Sequence, residues 1–336
     1  MPSTTLFSST LLLGTLISLS SSNWLYIWMG LELNLMSFIP LISSAPQARS
    51  AEGAMTYFMA QAMGSGLLLL GSLSMFLSPH LPLSQDLFHA LIFLSLLTKL
   101  GMPPCHFWFP SVMSLLSWPL CLLLTTWQKI TPLAIMFHST PPSGSPILLL
   151  TILLGSSISS LGGLNQTRMR PLIAYSSIGH MTWMLVAASS SYTISLIYLT
   201  VYILTSIPLM LLLWICQTHY NLMSSNIASL PPFFIPMIFM LILSLGGLPP
   251  FLGFYPKWLV VESACSSFTL LIFITLTGSL INLYFYLNLI FINLLYSHKL
   301  PFMQTHNTSF MRPLLPTLSM ITALTLGIGP SLFLFF

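Results

Sequence analysis

Glu32, Lys99, Lys129 and Lys257 stand inside stretches that are otherwise almost wholly apolar. A charge at mid-bilayer costs about 2.5–3.5 kcal/mol even on lenient insertion scales, so a chain that carries such residues repeatedly has a use for them. Proton transfer is the chemistry open to this set. Lysine gives up its proton when it is desolvated or set beside another cation, and serine, threonine, histidine and water can pass that proton along. Glu32 on its own would take up a proton; paired with a lysine it stays ionised and holds that lysine charged. Lys99 is the expected partner, and opening of the pair would let the lysine's proton leave. His106 and His180 are candidates for the same wire, with structural hydrogen bonding as the alternative. The plainer readings are that Lys257, at the end of a half-helix, and Lys129, in mid-span between Leu123 and Leu133, only snorkel, that Glu32 ties two helices together, and that Lys99 is an inert counter-ion to it.

Two of the lysines stand at interruptions. An apolar run from Leu87 to Leu100 ends in Lys99-Leu-Gly-Met-Pro-Pro-Cys-His-Phe-Trp-Phe-Pro110, and a second apolar run follows. Proline lacks an N–H and clashes with the preceding turn, so a helix cannot pass Pro103 and Pro104 intact, and Gly101 loosens the same point. The later stretch Leu245-Gly-Gly-Leu-Pro-Pro-Phe-Leu-Gly-Phe-Tyr-Pro-Lys257 repeats the pattern with Gly246, Gly247, Pro249 and Pro250, but there the lysine follows the break. Interrupted hydrophobic segments in corresponding positions of two halves point to a transport path.

The elements that must hold these residues are membrane helices. Of 336 residues 55% are hydrophobic and 4% charged, with a mean hydropathy of +0.92, whereas a soluble domain carries about 25% charged residues. The net charge of +4 is too small and too scattered to suggest nucleic acid. The four cysteines, Cys105, Cys121, Cys216 and Cys265, form no metal or redox spacing and are expected to pack as small apolar residues. At roughly 20 apolar residues per crossing, the spans fall at 4–20, 24–43, 55–77, 86–116 (broken), 119–138, 146–163, 171–189, 193–216, 232–262 (broken), 268–296 and 314–334. The apolar stretch from Thr4 to Leu19 lacks a basic flank and is read as the first span, not as a cleaved signal.

The fold class expected is therefore an all-α polytopic membrane protein of about eleven transmembrane helices. The broken helices are the fourth and the ninth. Residues 4–138 and 146–296 then form two five-helix repeats of inverted topology, each with its fourth helix broken, and 314–334 is an additional helix. Arg49, Arg168, Arg170, Lys299 and Arg312 all fall in connections on one side, where Glu52 is also expected to sit in a loop. The positive-inside rule puts that side, and the N-terminus, in the compartment where insertion begins, and the C-terminus opposite. No phosphate-binding loop, dinucleotide fingerprint or haem-type histidine pair is present, so any energy input must come from an ion gradient or from partner subunits.

Several short motifs carry a resemblance. They are Trp28-Met-Gly-Leu-Glu-Leu-Asn34, Tyr57-Phe-Met-Ala-Gln-Ala62, Lys99-Leu-Gly with Pro104-Cys-His-Phe-Trp-Phe-Pro110, and Thr126-Trp-Gln-Lys-Ile-Thr-Pro132. Gly162-Gly-Leu-Asn-Gln-Thr167, Ala174-Tyr-Ser-Ser-Ile-Gly-His180 and Leu243-Ser-Leu-Gly-Gly-Leu-Pro-Pro250 with Lys257-Trp258 complete them. In this order, from about residue 23 to residue 260, the chain resembles the mitochondrially encoded subunit-2 family of NADH:ubiquinone oxidoreductase, respiratory complex I. The last quarter of the chain matches that family mainly in hydropathy. The resemblance implies an antiporter-like, proton-pumping membrane subunit of a proton-translocating NADH:ubiquinone reductase, in which animal members lack three N-terminal helices of the antiporter fold. It implies no cofactor in this chain, with NADH, FMN, iron–sulfur clusters and ubiquinone bound by partner subunits. Other membrane-arm subunits, including neighbouring antiporter-like ones, are the implied partners, together with structural phospholipids such as cardiolipin. Carried over residue by residue, Glu32 and Lys99 are the ion pair, Lys129 the central relay and Lys257 the distal relay. The location implied is the mitochondrial inner membrane, with the N-terminus in the matrix and the C-terminus in the intermembrane space. The extra proline and the cysteine in Gly101-Met-Pro-Pro-Cys-His106, and Arg170-Pro171 where a basic pair is common, depart from the family pattern. A stand-alone cation/proton antiporter and a purely structural spacer are the rival readings.

Overall fold

The computed structural model describes residues 2–44, 48–77, 82–141, 145–215, 234–265 and 268–297, and all regular structure among them is helical. The expected helix at 314–334 lies outside the described residues, as do Cys216, Lys299 and Arg312. The chain divides into two compact units, 1–155 and 156–336.

The first unit contains α1 (Pro2–Ser20), α2 (Trp24–Ser43), α3 (Ala48–Leu77), α4 (Pro82–Leu100), α5 (Trp108–Leu115), α6 (Trp118–Thr125) and α7 (Trp127–His138). The helix α8 (Pro146–Leu164) carries the boundary. Helix α3 shows how sequence sets the packing. Tyr57, Gln61, Gly64, Leu68 and Gly71 recur at alternating spacings of four and three, which places them on one face. That face lies against α4. A methyl at Gly64 would meet the Thr98 hydroxyl at 2.6 Å and Lys99 Cγ at 3.0 Å, so the missing side chain is what lets α4 come this close. Arg49 and Glu52 lie within α3 instead of in a loop. The helix simply begins earlier than the hydrophobic run, with Arg49 and Glu52 exposed.

The second unit contains α9 (Met169–Ser190), α10 (Tyr192–Ile215), α11 (Phe234–Gly246), α12 (Phe254–Ala264) and α13 (Thr269–Ser297). Helix α9 is its centre, packed by α10, α12 and α13 and buried on nearly all sides. Six helical stretches among the described residues are long and apolar enough to cross a membrane, and α9 is not one of them. Its neighbours are protein rather than lipid, so serines, threonines and His180 are tolerated where a lipid-facing helix would need aliphatic residues. Arg170 belongs to α9 and Arg168 caps its start.

Both broken segments end their first half in the same way. After α4, Gly101 takes φ +71°. Its N–H donates to Thr98 O at 3.2 Å and the N–H of Met102 donates to Leu97 O at 2.9 Å. After α11, Gly247 takes φ +78°, with N–H bonds from Gly247 to Ser244 O at 3.1 Å and from Leu248 to Leu243 O at 3.5 Å. This is the Schellman closure, in which a left-handed glycine lets the chain fold back on the last open carbonyls. The prolines stand beyond it, where no helical N–H is required. Gly246 is thus the last residue of α11, not a part of the turn.

A third interruption has no counterpart in the sequence reading. The expected span 119–138 is two helices, α6 and α7, parted at Thr126. Thr125 Oγ1 donates to Cys121 O at 3.0 Å and Thr126 Oγ1 donates to Leu122 O at 2.7 Å. Such hydroxyl bonds to carbonyls one turn back bend a helix. Lys129 therefore stands in the first turn of α7 and not in mid-helix.

Gly101→Ala should destabilise the solubilised protein by more than the roughly 1–2 kcal/mol of a left-handed alanine, because the new methyl also meets Phe109 Cβ at 2.7 Å. Gly66→Ala, on the exposed face of α3 with nothing within 4 Å of its added methyl, should be neutral or stabilise by about 0.5–1 kcal/mol. Thermal unfolding midpoints of the two variants check the contrast.

Candidate functional site

Each unit holds its described lysines at a small polar cavity, and the helix ends put them there. In the first unit Lys99 occupies the last turn of α4, 6% exposed, with its stem against Gly64. The open carbonyls around it are occupied by neutral donors. Gln61 Nε2 donates to Lys99 O at 3.0 Å, and the Trp108 indole N–H donates to Thr98 O at 3.0 Å. Lys129 is 4% exposed. Its ammonium lies 4.5 Å from the centroid of the Phe109 ring, a cation–π contact worth about 0.5–2 kcal/mol.

Lys99 and Lys129 line one cavity of about 20 Å³, whose other polar walls are Asn34, Tyr57, Gln61, Trp108, Gln128 and Thr131. That volume suits about one water molecule, which needs two to four polar partners. Both amide atoms of Asn34, Nε2 of Gln128 and Oγ1 of Thr131 are buried without a hydrogen bond to protein.

Glu32 is half-buried on α2. Its charge acts on Lys99 and on the Tyr57 hydroxyl, yet Glu32 and Lys99 form no ion pair within 4.0 Å. The charge of Glu32 reaches Lys99 across a gap instead of through contact. His106 is buried in the first break and its ring stacks on Phe107 with centroids 4.1 Å apart. It is not among the walls of the cavity.

In the second unit Lys257 lies in the first turn of α12, and its ammonium donates to Gly246 O, the last carbonyl of α11, at 2.8 Å. A cation at a helix C-terminus is favoured by the helix dipole. The Lys257 stem also fills the space beside Gly247, where a methyl would meet Nζ at 2.7 Å. A cavity of about 10 Å³ brings Lys257 together with His180, Ser176, Asn282 and Tyr286. The Nδ1 of His180 shares a hydrogen bond of 3.0 Å with the Tyr198 hydroxyl of α10.

Several wall residues escape a search for formal charge: Asn34, Tyr57, Gln61, Gln128, Asn282 and Tyr286. A signal was nevertheless present. Tyr57 and Gln61, Ser176 and His180, and Asn282 and Tyr286 are polar pairs four residues apart in apolar helices, which marks an inner face. The cysteines divide. Cys121 is buried as expected, whereas Cys105 and Cys265 are exposed, because each stands where a helix has ended or is ending.

A family model described as NADH:quinone oxidoreductase/Mrp antiporter, TM, matches residues 21–282. NADH-ubiquinone oxidoreductase chain 2 of Lumbricus terrestris is 38% identical over 290 residues, 86% of each chain. The protein of the same name from Anopheles gambiae is 42% identical over 291 residues, 85% of this chain and 84% of that one. Among solved structures, respiratory complex I from Thermus thermophilus contains a chain with the same fold, at TM-score 0.82 and 23% identity, covering 97% of this chain and 78% of that one. A chain of the Mrp complex from Dietzia sp. aligns at TM-score 0.75 and 15% identity, covering 82% of this chain and 57% of that one. A membrane-embedded chain, helical in its described residues and with Lys99 and Lys257 at two broken helices, thus belongs, by sequence and by fold, to the NADH:quinone oxidoreductase/Mrp antiporter transmembrane family.

Proposed function

We propose that this chain is a core membrane-arm subunit of respiratory complex I and that it moves protons across the inner mitochondrial membrane as partner subunits oxidise NADH and reduce ubiquinone. The observation that carries the proton-moving role is that two buried lysines, Lys99 and Lys129, line one water-sized polar cavity. The named relatives, which align over most of their length, carry the assignment to the complex. Glu32 biases Lys99 by its charge, Lys129 receives the proton, and Lys257, with His180 nearby, is the station of the second unit. Residues 4–138 and 146–296 are two inverted five-helix repeats, a reading supported by the lysine preceding one break and following the other. Arg49, Arg168 and Arg170, at helix starts on one side, support a matrix location for the N-terminus. NADH, FMN, iron–sulfur clusters and ubiquinone belong to partner subunits, and phospholipids such as cardiolipin fill the remaining apolar surface. Driving one charge against the membrane potential costs roughly 2.3 kcal/mol per 100 mV, which the redox chemistry of those partners must supply.

Lys129→Met in the assembled complex should lower the protons moved per electron by the whole share of this chain, while electron transfer measured with an uncoupler persists. Lys129→Arg should be no better, since arginine keeps the charge but does not release its proton. Wild-type proton yield in an assembled Lys129→Met complex rejects the role. Glu32→Gln should reduce the yield less than Lys129→Met, because both lysines of the cavity remain; flow measurements in reconstituted vesicles separate the two.

A further inference from the structure

His180 of α9 lines the second cavity together with Lys257, and the neighbouring helix α10 holds its ring. The Nδ1 atom lies 3.0 Å from the Tyr198 hydroxyl. Tyr202, one turn further along α10, sets its own ring 5.2 Å from the imidazole at a tilt of 43°. Tyr198 is 1% exposed, and the bond to His180 is the one its hydroxyl makes among the described residues. Tyr198 is not itself a wall of the cavity, so it reaches the site through the ring of His180.

A hydroxyl can donate or accept, and a neutral imidazole has one nitrogen of each kind. Burial decides between the two directions here. If Nδ1–H donated, the phenolic proton of Tyr198 would be left without an acceptor, at a cost of about 1–3 kcal/mol. If the hydroxyl donates, its proton and the Nδ1 lone pair are both satisfied. The proton of the neutral ring then stands on Nε2, because the bond made by one ring nitrogen fixes the state of the other. Building on the reading of Lys257 as the proton station of the second unit, we infer that Tyr198 is a positioning residue: its hydroxyl donates to Nδ1 of His180 and keeps that ring neutral, turned one way, with its proton on Nε2. His180 so held is a fixed N–H donor of the Lys257 site, not a carrier that loads a proton at one nitrogen and unloads it at the other. A second proton can enter at Nδ1 only after the Tyr198 hydroxyl has swung away. The neutral ring also adds no second cation to a cavity that already holds a lysine.

The test compares Tyr198→Phe, His180→Gln, the double variant of these two, His180→Leu and Lys257→Met in the assembled complex reconstituted into lipid vesicles. Protons moved per electron, uncoupled electron transfer and complex content are measured together. Phenylalanine keeps the ring of Tyr198 and removes the donor. Glutamine takes no charge but presents an amide N–H at a reach similar to that of Nε2, and it has no Nδ1 to be held. Tyr198→Phe should lose at least about half of the proton yield that Lys257→Met loses, at undiminished uncoupled electron transfer. His180→Gln should keep most of the wild-type yield and His180→Leu should not. Tyr198→Phe should cost nothing further on top of His180→Gln, as expected of two residues that act as one. Wild-type yield in Tyr198→Phe overturns the inference, and so does the same loss from Tyr198→Phe in both backgrounds, which would make the hydroxyl a packing element. Equal yield in His180→Gln and His180→Leu overturns it as well: if both are low the ring is needed for its charge, and if both are high the ring is not used. That comparison decides the matter by itself should Tyr198→Phe fail to assemble. A Lys257→Met complex that pumps normally overturns the station reading and the inference with it; impaired Lys257→Met beside normal Tyr198→Phe overturns the inference alone.

Discussion

A helix that stops inside an apolar medium leaves carbonyls that no water can satisfy, and this constraint organises the protein. Each unsatisfied group there costs several kcal/mol. Every feature around the breaks answers it: the left-handed glycines that fold N–H groups back, the Gln61 amide, the Trp108 indole and the Lys257 ammonium. Lys257 is at such a place because an open carbonyl end is where a cation can be kept in oily surroundings at least cost.

The same physics explains why the polar cavities are small. Each is built where helix backbones come close enough to exclude lipid but leave side-chain amides and hydroxyls facing one another. In the first unit the close approach is made by Gly64 of α3. In the second it follows from the enclosure of α9, whose serines and His180 face protein on nearly every side. Apolar surface on the outside and unpaired polar atoms on the inside are two results of one sorting by solvent.

Hydropathy and proline were enough to read the helical class, the broken segments and the lysines beside them, since those signals are local and strong. Formal charge was a poorer guide to the walls of the site. Asn34, Gln61 and Gln128 are neutral, and only their position on an inner face, which requires the packing of α2, α3 and α7, gives them a place in it. The parting of α6 from α7 was illegible for a related reason. Threonine pairs are common in apolar helices, and whether the hydroxyls of Thr125 and Thr126 bend the chain depends on their rotamers, not on their identity. The Glu32–Lys99 relation was visible as two opposite charges. That it acts across a gap, without contact, is a matter of distances that no spacing along the chain encodes.

Phe109 is shared by two devices that have so far been described apart. Its Cβ is the atom that closes the space beside Gly101, and its ring is the cushion beneath the Lys129 ammonium. A phenylalanine is rigid between those two points, so it behaves as a short lever with the turn at one end and the cation at the other. Attraction between an ammonium and a ring depends on both separation and tilt. Any refolding of the turn at 101–107 that rocks this lever therefore retunes the hold on Lys129 mechanically, with no charge having to cross the distance between them.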